Sequence, residues 1–215
     1  MEEAISNYDS DVIIAGGGLA GIVSALELLN QNKKVILFER GLEEDFGGLA
    51  KVSFGGMFFV DTPIQQHGGI KDSPELAFKD WCRVAKFSED DILPKKWAKH
   101  YVYHCNDQVF DWLKGEGIKF FPVVHWVERG LYTPGNSYPR FHLVWGTGFE
   151  LVRVLVNNLK NHPNAKQNLI LKFSHKVEEV LFEEDRVIGI NHGAKHLKKY
   201  LMDAIYFPMV IYMMN

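Results

Sequence analysis

Three glycines directly after a short apolar run place the strongest constraint on how this chain can fold. The run Asp11–Ala15 is almost wholly apolar, which is typical of a central strand in a parallel sheet. Gly16, Gly18 and Gly21 follow it with the spacing G-x-G-x-x-G. The first glycine permits a tight turn, the second lets a pyrophosphate approach the backbone, and the third allows a helix to pack closely on the sheet. The pattern therefore predicts a strand, a phosphate-binding turn and a helix.

The next segments complete the start of a βαβ unit. Apolar residues at helical spacing predict a helix over Leu19–Leu29, with asparagines after it that tolerate the left-handed conformation of a helix end. A second strand is predicted over Lys34–Phe38, and Glu39 follows it, 18 residues after Gly21. A carboxylate at this place accepts hydrogen bonds from ribose hydroxyls. Glu39 disfavours NADP, whose 2′-phosphate it would repel, but it does not separate FAD from NAD.

Two paired-glycine segments after this acid favour FAD over NAD. They are Asp45–Ala50 and Ser53–Met57. An NAD dehydrogenase has no need of them, whereas the ribityl and isoalloxazine portion of a flavin must be held by backbone beyond the pyrophosphate. Glycine allows that close approach. Two ordinary turns are the alternative explanation.

Composition and charge narrow the class of protein. The 215 residues are 47% hydrophobic and 24% charged, as in ordinary globular proteins, and the net charge of -3 gives no sign of a nucleic-acid partner. Cys82 and Cys105 form neither a metal-ligand spacing nor a disulfide framework, so we expect a reducing, cytoplasmic location. The polar segment Met1–Ser10 does not predict a secretory signal, and no apolar run reaches the ~20 residues of a membrane span.

The rest of the chain predicts helices followed by a small antiparallel sheet. Helices are expected over residues 73–86, which Ser73 and Pro74 would begin, over 94–114, beginning at Pro94, and over 150–161. Strands are expected over residues 119–124, 169–180 and 186–190, the last two forming a meander. The helical block would interrupt the dinucleotide fold and cover the flavin.

Several segments resemble one known family. The run from Asp11 to Gly56 resembles the FAD-binding domain of the succinate dehydrogenase and fumarate reductase flavoproteins. Residues 72–81, 120–130 and 135–148 resemble the ketosteroid-dehydrogenase-like branch, whose members are FAD-binding dehydrogenases. The resemblance implies an α/β fold: a Rossmann-like FAD-binding domain, with a parallel sheet and an antiparallel meander, and an inserted, mostly helical cap region.

The resemblance also implies domain boundaries. Residues 1–62 and 145–192 would form the FAD-binding domain and residues 63–144 the cap or substrate region, leaving 193–215 as a divergent tail. Family members are more than twice as long, so the chain is expected to be a truncated, N-terminal portion. The tail would be a divergent strand, an interfacial segment or an out-of-frame ending, and its apolar end could drive self-association.

The resemblance assigns the cofactor site residue by residue. Residues 47–57 contain no histidine of the kind that attaches FAD covalently in some members, so noncovalent FAD is implied. Leu49 departs from the polar residue expected at its position. The pyrophosphate would meet Gly16, Gly18, Leu19, Ala20 and Gly21; the adenosine end Glu39 and Arg40; the ribityl and isoalloxazine portion Gly48, Leu49, Ala50, Ser53, Gly55 and Gly56; and the adenine the backbone of Val177.

Catalytic residues are less well defined by the sequence. Arg140 and His142 are candidates for substrate contact, because a guanidinium can polarise a carbonyl or hold a carboxylate and a histidine can carry a proton. The alternative is that both satisfy backbone carbonyls or acidic neighbours. His100 and His104 have metal-ligand spacing on a predicted helix, but no third ligand is evident, so no metal is predicted.

The sequence therefore predicts an FAD-dependent oxidoreductase. It would transfer a hydride between noncovalent FAD and an activated carbon–carbon bond of a small organic substrate, with an unidentified electron acceptor. Two alternatives stay open. The chain could be an FAD-binding fragment that catalyses nothing alone, or an NAD-binding dehydrogenase of the ordinary type.

Overall fold

The computed structural model of the protein describes residues 10–124, 134–194, 196–201 and 205–206. The chain forms two compact units. The first combines residues up to Lys51 with residues from Val152 onward, and the second comprises Val52–Leu151. The domain boundaries expected from the family resemblance stay a prediction.

The elements are numbered along the chain. The strands are β1 Val12–Ala15, β2 Val35–Phe38, β3 Gly56–Phe58, β4 Phe141–Leu143, β5 Leu169–Lys172, β6 Lys176–Glu183, β7 Arg186–Ala194, β8 His196–Leu201 and β9 Ile205–Tyr206. The helices are α1 Leu19–Asn30, α2 Pro63–His67, α3 Pro74–Ala85, α4 Ile92–His104, α5 Asp111–Gly115, α6 Thr147–Lys160 and α7 Ala165–Asn168. Short 3₁₀ turns occupy Glu43–Asp45 and Gly48–Val52, and a π-helical segment Cys105–Phe110.

A parallel sheet organises the first unit. Its strand order is β5-β2-β1-β9, and each neighbouring pair is parallel. Every residue of β2 and the first three of β1 are buried. This fits strands at the centre of a parallel sheet, which are covered on both faces. The predicted strand–helix–strand order is confirmed.

Helix α1 packs one apolar face inward. Ile22, Ala25, Leu26 and Leu29 are buried, and each large side chain among them contributes ~1.5–3 kcal/mol relative to exposure. The chain leaves the helix through Asn32, whose φ of 58° is left-handed. Asparagine adopts this conformation more readily than other side chains, as the sequence predicted.

The meander begins later than the sequence predicted. The expected strand over residues 169–180 is two strands: β5 joins the parallel sheet beside β2, and only β6 joins the antiparallel sheet β6-β7-β8. Ser174, with a φ of 58°, breaks the run. Apolar content alone does not identify the partner of a strand, because that partner is a distant segment of the chain.

The predicted tail, residues 193–215, is described only in part. Strand β8 adds a third antiparallel strand beside β7, and β9 pairs in parallel with β1, with Ile205 opposite Ile13. The apolar run beyond Tyr206 lies outside the described residues, as do residues 1–9 and 125–133.

The second unit contains the helical block. Ser73 caps α3 by accepting a hydrogen bond from the Leu76 amide, and Pro74 begins the helix, as predicted. The predicted helix over 94–114 is instead α4, the π-helical segment and α5. Helix α4 starts at Ile92, two residues before Pro94. Proline is tolerated at this position because its missing N–H needs no partner in the first turn.

Two other boundaries in this unit differ from the expectation. The predicted strand over residues 119–124 is reduced to a single bridge between Phe120 and Val144. Helix α6 begins at Thr147 rather than Glu150. None of the helices that the structure describes combines the length and apolar character that a membrane span requires.

Replacing Gly21 should destabilise the first unit. A Cβ at Gly21 would lie 2.0 Å from the Gly16 carbonyl oxygen, and backbone cannot give way as a flexible side chain can. Gly21→Ala should therefore lower the free energy of unfolding by ~1–3 kcal/mol, as overpacking does. Urea unfolding measures this. Gly115→Ala is the matched control, because a Cβ there meets no atom within 4 Å; an equal loss in both variants would contradict the explanation.

Candidate functional site

The loop after β1 has an open position where the sequence predicted a phosphate. Gly16 has a φ of +107°, which only glycine adopts readily. Gly18 is different: its φ is −75°, and a Cβ there would meet no atom within 4 Å. The fold of the described residues therefore gives no reason for glycine at position 18. The space beside it suits a group that must approach the backbone closely.

Helix α1 directs positive potential toward the same loop. Gly18 is its N-cap residue and makes no side-chain cap, and the first turn contains no acidic residue. The amides that begin the helix include those of Leu19, Ala20 and Gly21. An anion at this end is stabilised by the free N–H groups and by the helix dipole.

Glu39 joins this loop to the loop after β2. One carboxylate oxygen, Oε2, accepts a hydrogen bond from the Gly17 amide at 2.7 Å, and Oε1 accepts one from the Gly41 amide at 2.7 Å. Sequence reasoning assigned Glu39 to a ribose and missed this role. A carboxylate has about four acceptor positions, so both roles are compatible.

A cavity of about 250 Å³ opens at the carboxyl ends of β1 and β2. Ligands of α/β sheets bind at this edge. The cavity brings together four residues that the resemblance assigned to the cofactor. Its lining comprises Ala15, Gly16, Phe38, Glu39, Arg40, His175, Lys176 and Val177.

Val177 lies in β6, the edge strand of its sheet, so its backbone faces no other strand of that sheet on one side. Its side chain packs against the buried cluster of Ile13, Ile36, Phe38 and Ile190. The contact of this edge-strand backbone with an adenine stays a prediction.

The first paired-glycine segment packs on the loop Gly16–Gly18 that follows β1. The Gly47 amide donates to the Gly17 carbonyl at 2.8 Å, and a Cβ at Gly47 would lie 2.1 Å from Val152. Gly48 has a φ of +59°, and Leu49 is 87% exposed. Gly47 is thus required by packing, whereas Leu49 is an apolar side chain with almost no cover from the described residues.

The second paired-glycine segment has internal reasons for both glycines. Gly55 has a φ of +72°, and a Cβ there would lie 2.6 Å from the Thr147 carbonyl carbon. A Cβ at Gly56 would lie 1.6 Å from the Phe141 ring. The Ser53 carbonyl accepts a hydrogen bond from the Gly148 amide at 3.1 Å. Contact of Ser53, Gly55 and Gly56 with a flavin stays a prediction.

Arg140 is fully buried and paired with two carboxylates. Its Nε and Nη2 lie 2.6 and 2.7 Å from the two oxygens of Asp72, and its Nη1 lies 2.8 Å from Asp80. Burial alone would lower the pKa of Arg140, but the hydrogen bonds with Asp72 and Asp80 outweigh it and raise the pKa. Burial likewise works to raise the pKa of Asp80, but hydrogen bonds from Ser137 and Arg140 hold it below the ordinary value of 3.8.

His142 is buried beside this network. Its Nδ1 lies 2.9 Å from the Arg140 carbonyl oxygen, which can only accept, so Nδ1 carries a proton. Nε2 of the neutral ring then accepts from the Thr62 hydroxyl at 2.7 Å. Burial lowers the pKa of His142, which keeps the ring neutral. Arg140 thus binds acidic neighbours and His142 a backbone carbonyl, which is the alternative that the sequence left open for them. Their contact with a substrate stays a prediction.

The histidine pair on α4 gains no third ligand. The ring centroids of His100 and His104 are 4.6 Å apart, and His104 Nδ1 lies 3.7 Å from an oxygen of Asp107. Among the residues that the structure describes, no group of three or more histidine, cysteine or acidic side chains could hold a metal ion.

Comparison with known proteins identifies the class. Residues 11–199 match the FAD binding domain family, and the chain belongs to it. A KsdD-like steroid dehydrogenase of Mycobacterium tuberculosis is 38% identical over 199 residues, which cover 88% of this chain and 34% of the relative. The fumarate reductase (cytochrome) of Shewanella frigidimarina is 32% identical over 177 residues, 81% of this chain and 28% of the relative. The chain thus spans about a third of these relatives' length.

Solved structures share the fold. The 3-ketosteroid-Δ4-(5α)-dehydrogenase of Rhodococcus jostii has a TM-score of 0.77 at 19% identity, covering 96% of this chain and 47% of that one. A flavocytochrome c3 fumarate reductase has a TM-score of 0.75 at 22% identity, covering 94% and 34%. The predicted fold class, the resemblance to the fumarate reductase and ketosteroid dehydrogenase flavoproteins, and FAD as the cofactor are confirmed.

Removing the charge of Glu39 should loosen the loop Gly16–Gly18 even in the protein without cofactor. Glu39→Gln keeps one carbonyl acceptor, but its NH₂ group faces a backbone N–H. We expect a loss of ~1–3 kcal/mol and faster hydrogen exchange at the Gly17 and Gly41 amides. Exchange measured on the protein without added FAD tests this. The exposed control Glu44→Gln should leave exchange at both amides unchanged. The same result for Glu39→Gln would rule out that Glu39 holds the two loops together.

His142 should make stability depend on pH in one direction. Its pKa in the folded protein lies below the ordinary 6.5, so the unfolded chain binds the proton more tightly. The neutral His142 ring therefore contributes fully to the free energy of unfolding above about pH 6.5. That contribution is lost as the pH falls through this value toward the pKa of the folded protein. Urea midpoints between about pH 7.5 and about pH 5 should fall less for His142→Asn than for the wild type. The exposed control His67→Asn should match the wild type; identical declines in all three would contradict the prediction.

Proposed function

We propose that this chain binds FAD noncovalently, with the adenosine in the cavity beside Glu39 and the pyrophosphate at the N-terminus of α1. The observation that carries the proposal is the open space at Gly18, where glycine serves no purpose within the fold. The helix N-terminus without an acidic first turn supports an anionic group there. Arg40 and Lys176 on the cavity wall add positive charge near the phosphates.

In the second unit, we propose that the backbone of Ser53, Gly55 and Gly56 contacts the flavin, as the resemblance implies. Bound FAD supplies hydride transfer at its N5 atom. The described residues contribute binding and orientation: amides meet the phosphates, and rigid glycine turns present backbone at fixed positions. The absence of histidine from residues 47–57 supports noncovalent attachment.

We further propose that the activity is that of an FAD-dependent oxidoreductase. Relatives named as a steroid dehydrogenase and as fumarate reductases support a small substrate with an activated carbon–carbon bond. A cytoplasmic location and self-association through the tail stay predictions.

A specific observation favours a second candidate, an FAD-binding chain that catalyses nothing alone. Arg140 and His142, the residues that sequence reasoning put forward for catalysis, use their side chains in internal contacts. The chain also spans only 34% of the steroid dehydrogenase relative. Dye reduction by the FAD-loaded chain with a ketosteroid or with succinate decides between the two: turnover supports the oxidoreductase, and retained flavin without turnover supports the binding chain.

Substitution of Gly18 tests the binding site itself. A methyl group there fills space that the fold leaves open, so Gly18→Ala should fold normally while its affinity for FAD falls at least about tenfold, or ~1.4 kcal/mol. The visible spectrum after FAD addition and desalting reports retained flavin. Gly115→Ala, the matched control, should retain as much as the wild type. Equal retention by Gly18→Ala would refute the site, and well-folded wild type without flavin would refute binding.

A further inference from the structure

Arg140 sits where the second glycine segment is held in place. Its backbone carbonyl accepts hydrogen bonds from the Phe59 amide at 3.0 Å and from His142 Nδ1 at 2.9 Å. The next residue, Phe141, begins β4. Arg140 thus fixes the point at which the chain enters β4.

Strand β4 forms the support of that segment. Gly56 pairs with Leu143 in the antiparallel ladder, and the Val144 amide donates to the Gly55 carbonyl at 3.0 Å. The Phe141 ring fills the place where a Cβ at Gly56 would lie. A shift of β4 would therefore move the backbone of Gly55 and Gly56 with it.

The Arg140 side chain ties β4 to the start of α3. Asp72 precedes that helix and takes two hydrogen bonds from the guanidinium, and Asp80 lies within it. The planar guanidinium gives Asp72 a bidentate pair of hydrogen bonds and Asp80 a third, a geometry that an ammonium group does not reproduce. These charges have no exposure to water, so removal of the bidentate geometry leaves buried carboxylates incompletely paired.

The chain contains a matched reference for this contact. Arg83 also pairs with Asp80, at 2.6 Å, but it lies on α3 itself and its side chain is 33% exposed. Arg83 also donates to the carbonyl oxygens of Pro134 and Gly135, in the segment before β4, but it makes no contact with β4 itself among the described residues. Loss of Arg83 is therefore expected to perturb the charge cluster and that segment, and loss of Arg140 to act on β4.

We infer that Arg140 is a positioning residue that sets the second paired-glycine segment, Ser53–Met57, through β4. Its relevance to flavin binding rests on the proposed function. The inference gives Arg140 a task in the flavin site without contact with substrate, and it explains why a guanidinium is buried there. Asp72 and Asp80 act as its anchors.

Hydrogen exchange and flavin binding together test the inference on the full chain. In the protein without FAD, Arg140→Lys should speed exchange of the Val144 and Gly148 amides at least about tenfold, with α1 unchanged. Arg83→Met should change them by less than about threefold. With FAD, Arg140→Lys should raise the dissociation constant about tenfold and alter the visible spectrum of bound flavin, because a loosened site binds less well.

The outcomes separate this inference from the proposed function. Equal exchange at Val144 in Arg140→Lys and Arg83→Met would overturn the positioning role, whatever the flavin result. A wild type that holds no flavin would refute the proposed function, while the exchange data would still decide the role of Arg140. If Arg140→Lys does not fold, Asp72→Asn, which weakens an anchor that Arg140 does not share with Arg83 and keeps its shape, decides the question by the same exchange comparison.

Discussion

The carboxylate of Glu39 holds together the two loops on which the nucleotide-binding end of the first unit depends. It accepts the Gly17 amide from the loop after β1 and the Gly41 amide from its own loop, both at 2.7 Å. Hydrogen bonds to a charged group contribute ~1.5–3 kcal/mol each. The loop Gly16–Gly18 after β1 is therefore held in place without a ligand, and a preorganised loop loses less entropy when it binds one.

Gly18 differs in physical cause from several glycines that the fold requires. Gly21, Gly47 and Gly56 are required because a Cβ would strike backbone or a packed side chain. Gly18 has an ordinary φ and open space around its Cβ position, so its cause lies outside the fold. Substitution of the first three is expected to destabilise the fold, whereas substitution of Gly18 is expected to leave it folded.

The second unit contains a buried charge cluster beside its two-stranded sheet. Arg140, Asp72 and Asp80 have no exposed side-chain surface, and they join β4 to the start of α3. Such a cluster adds little stability over an apolar replacement, but the loss of one partner costs about 3–5 kcal/mol. It therefore specifies a single arrangement of the elements it joins.

The sequence by itself determined the β1-α1-β2 unit, because G-x-G-x-x-G, helical spacing and a terminal acid are local patterns with local causes. It also determined the cap of α3 at Ser73 and the left-handed exit at Asn32. Only the tertiary structure decided that β5 joins the parallel sheet, since strand partners are chosen by distant segments. It alone decided that Glu39 clamps two loops and that Arg140 meets two carboxylates, because those partners lie 22, 60 and 68 residues away along the chain.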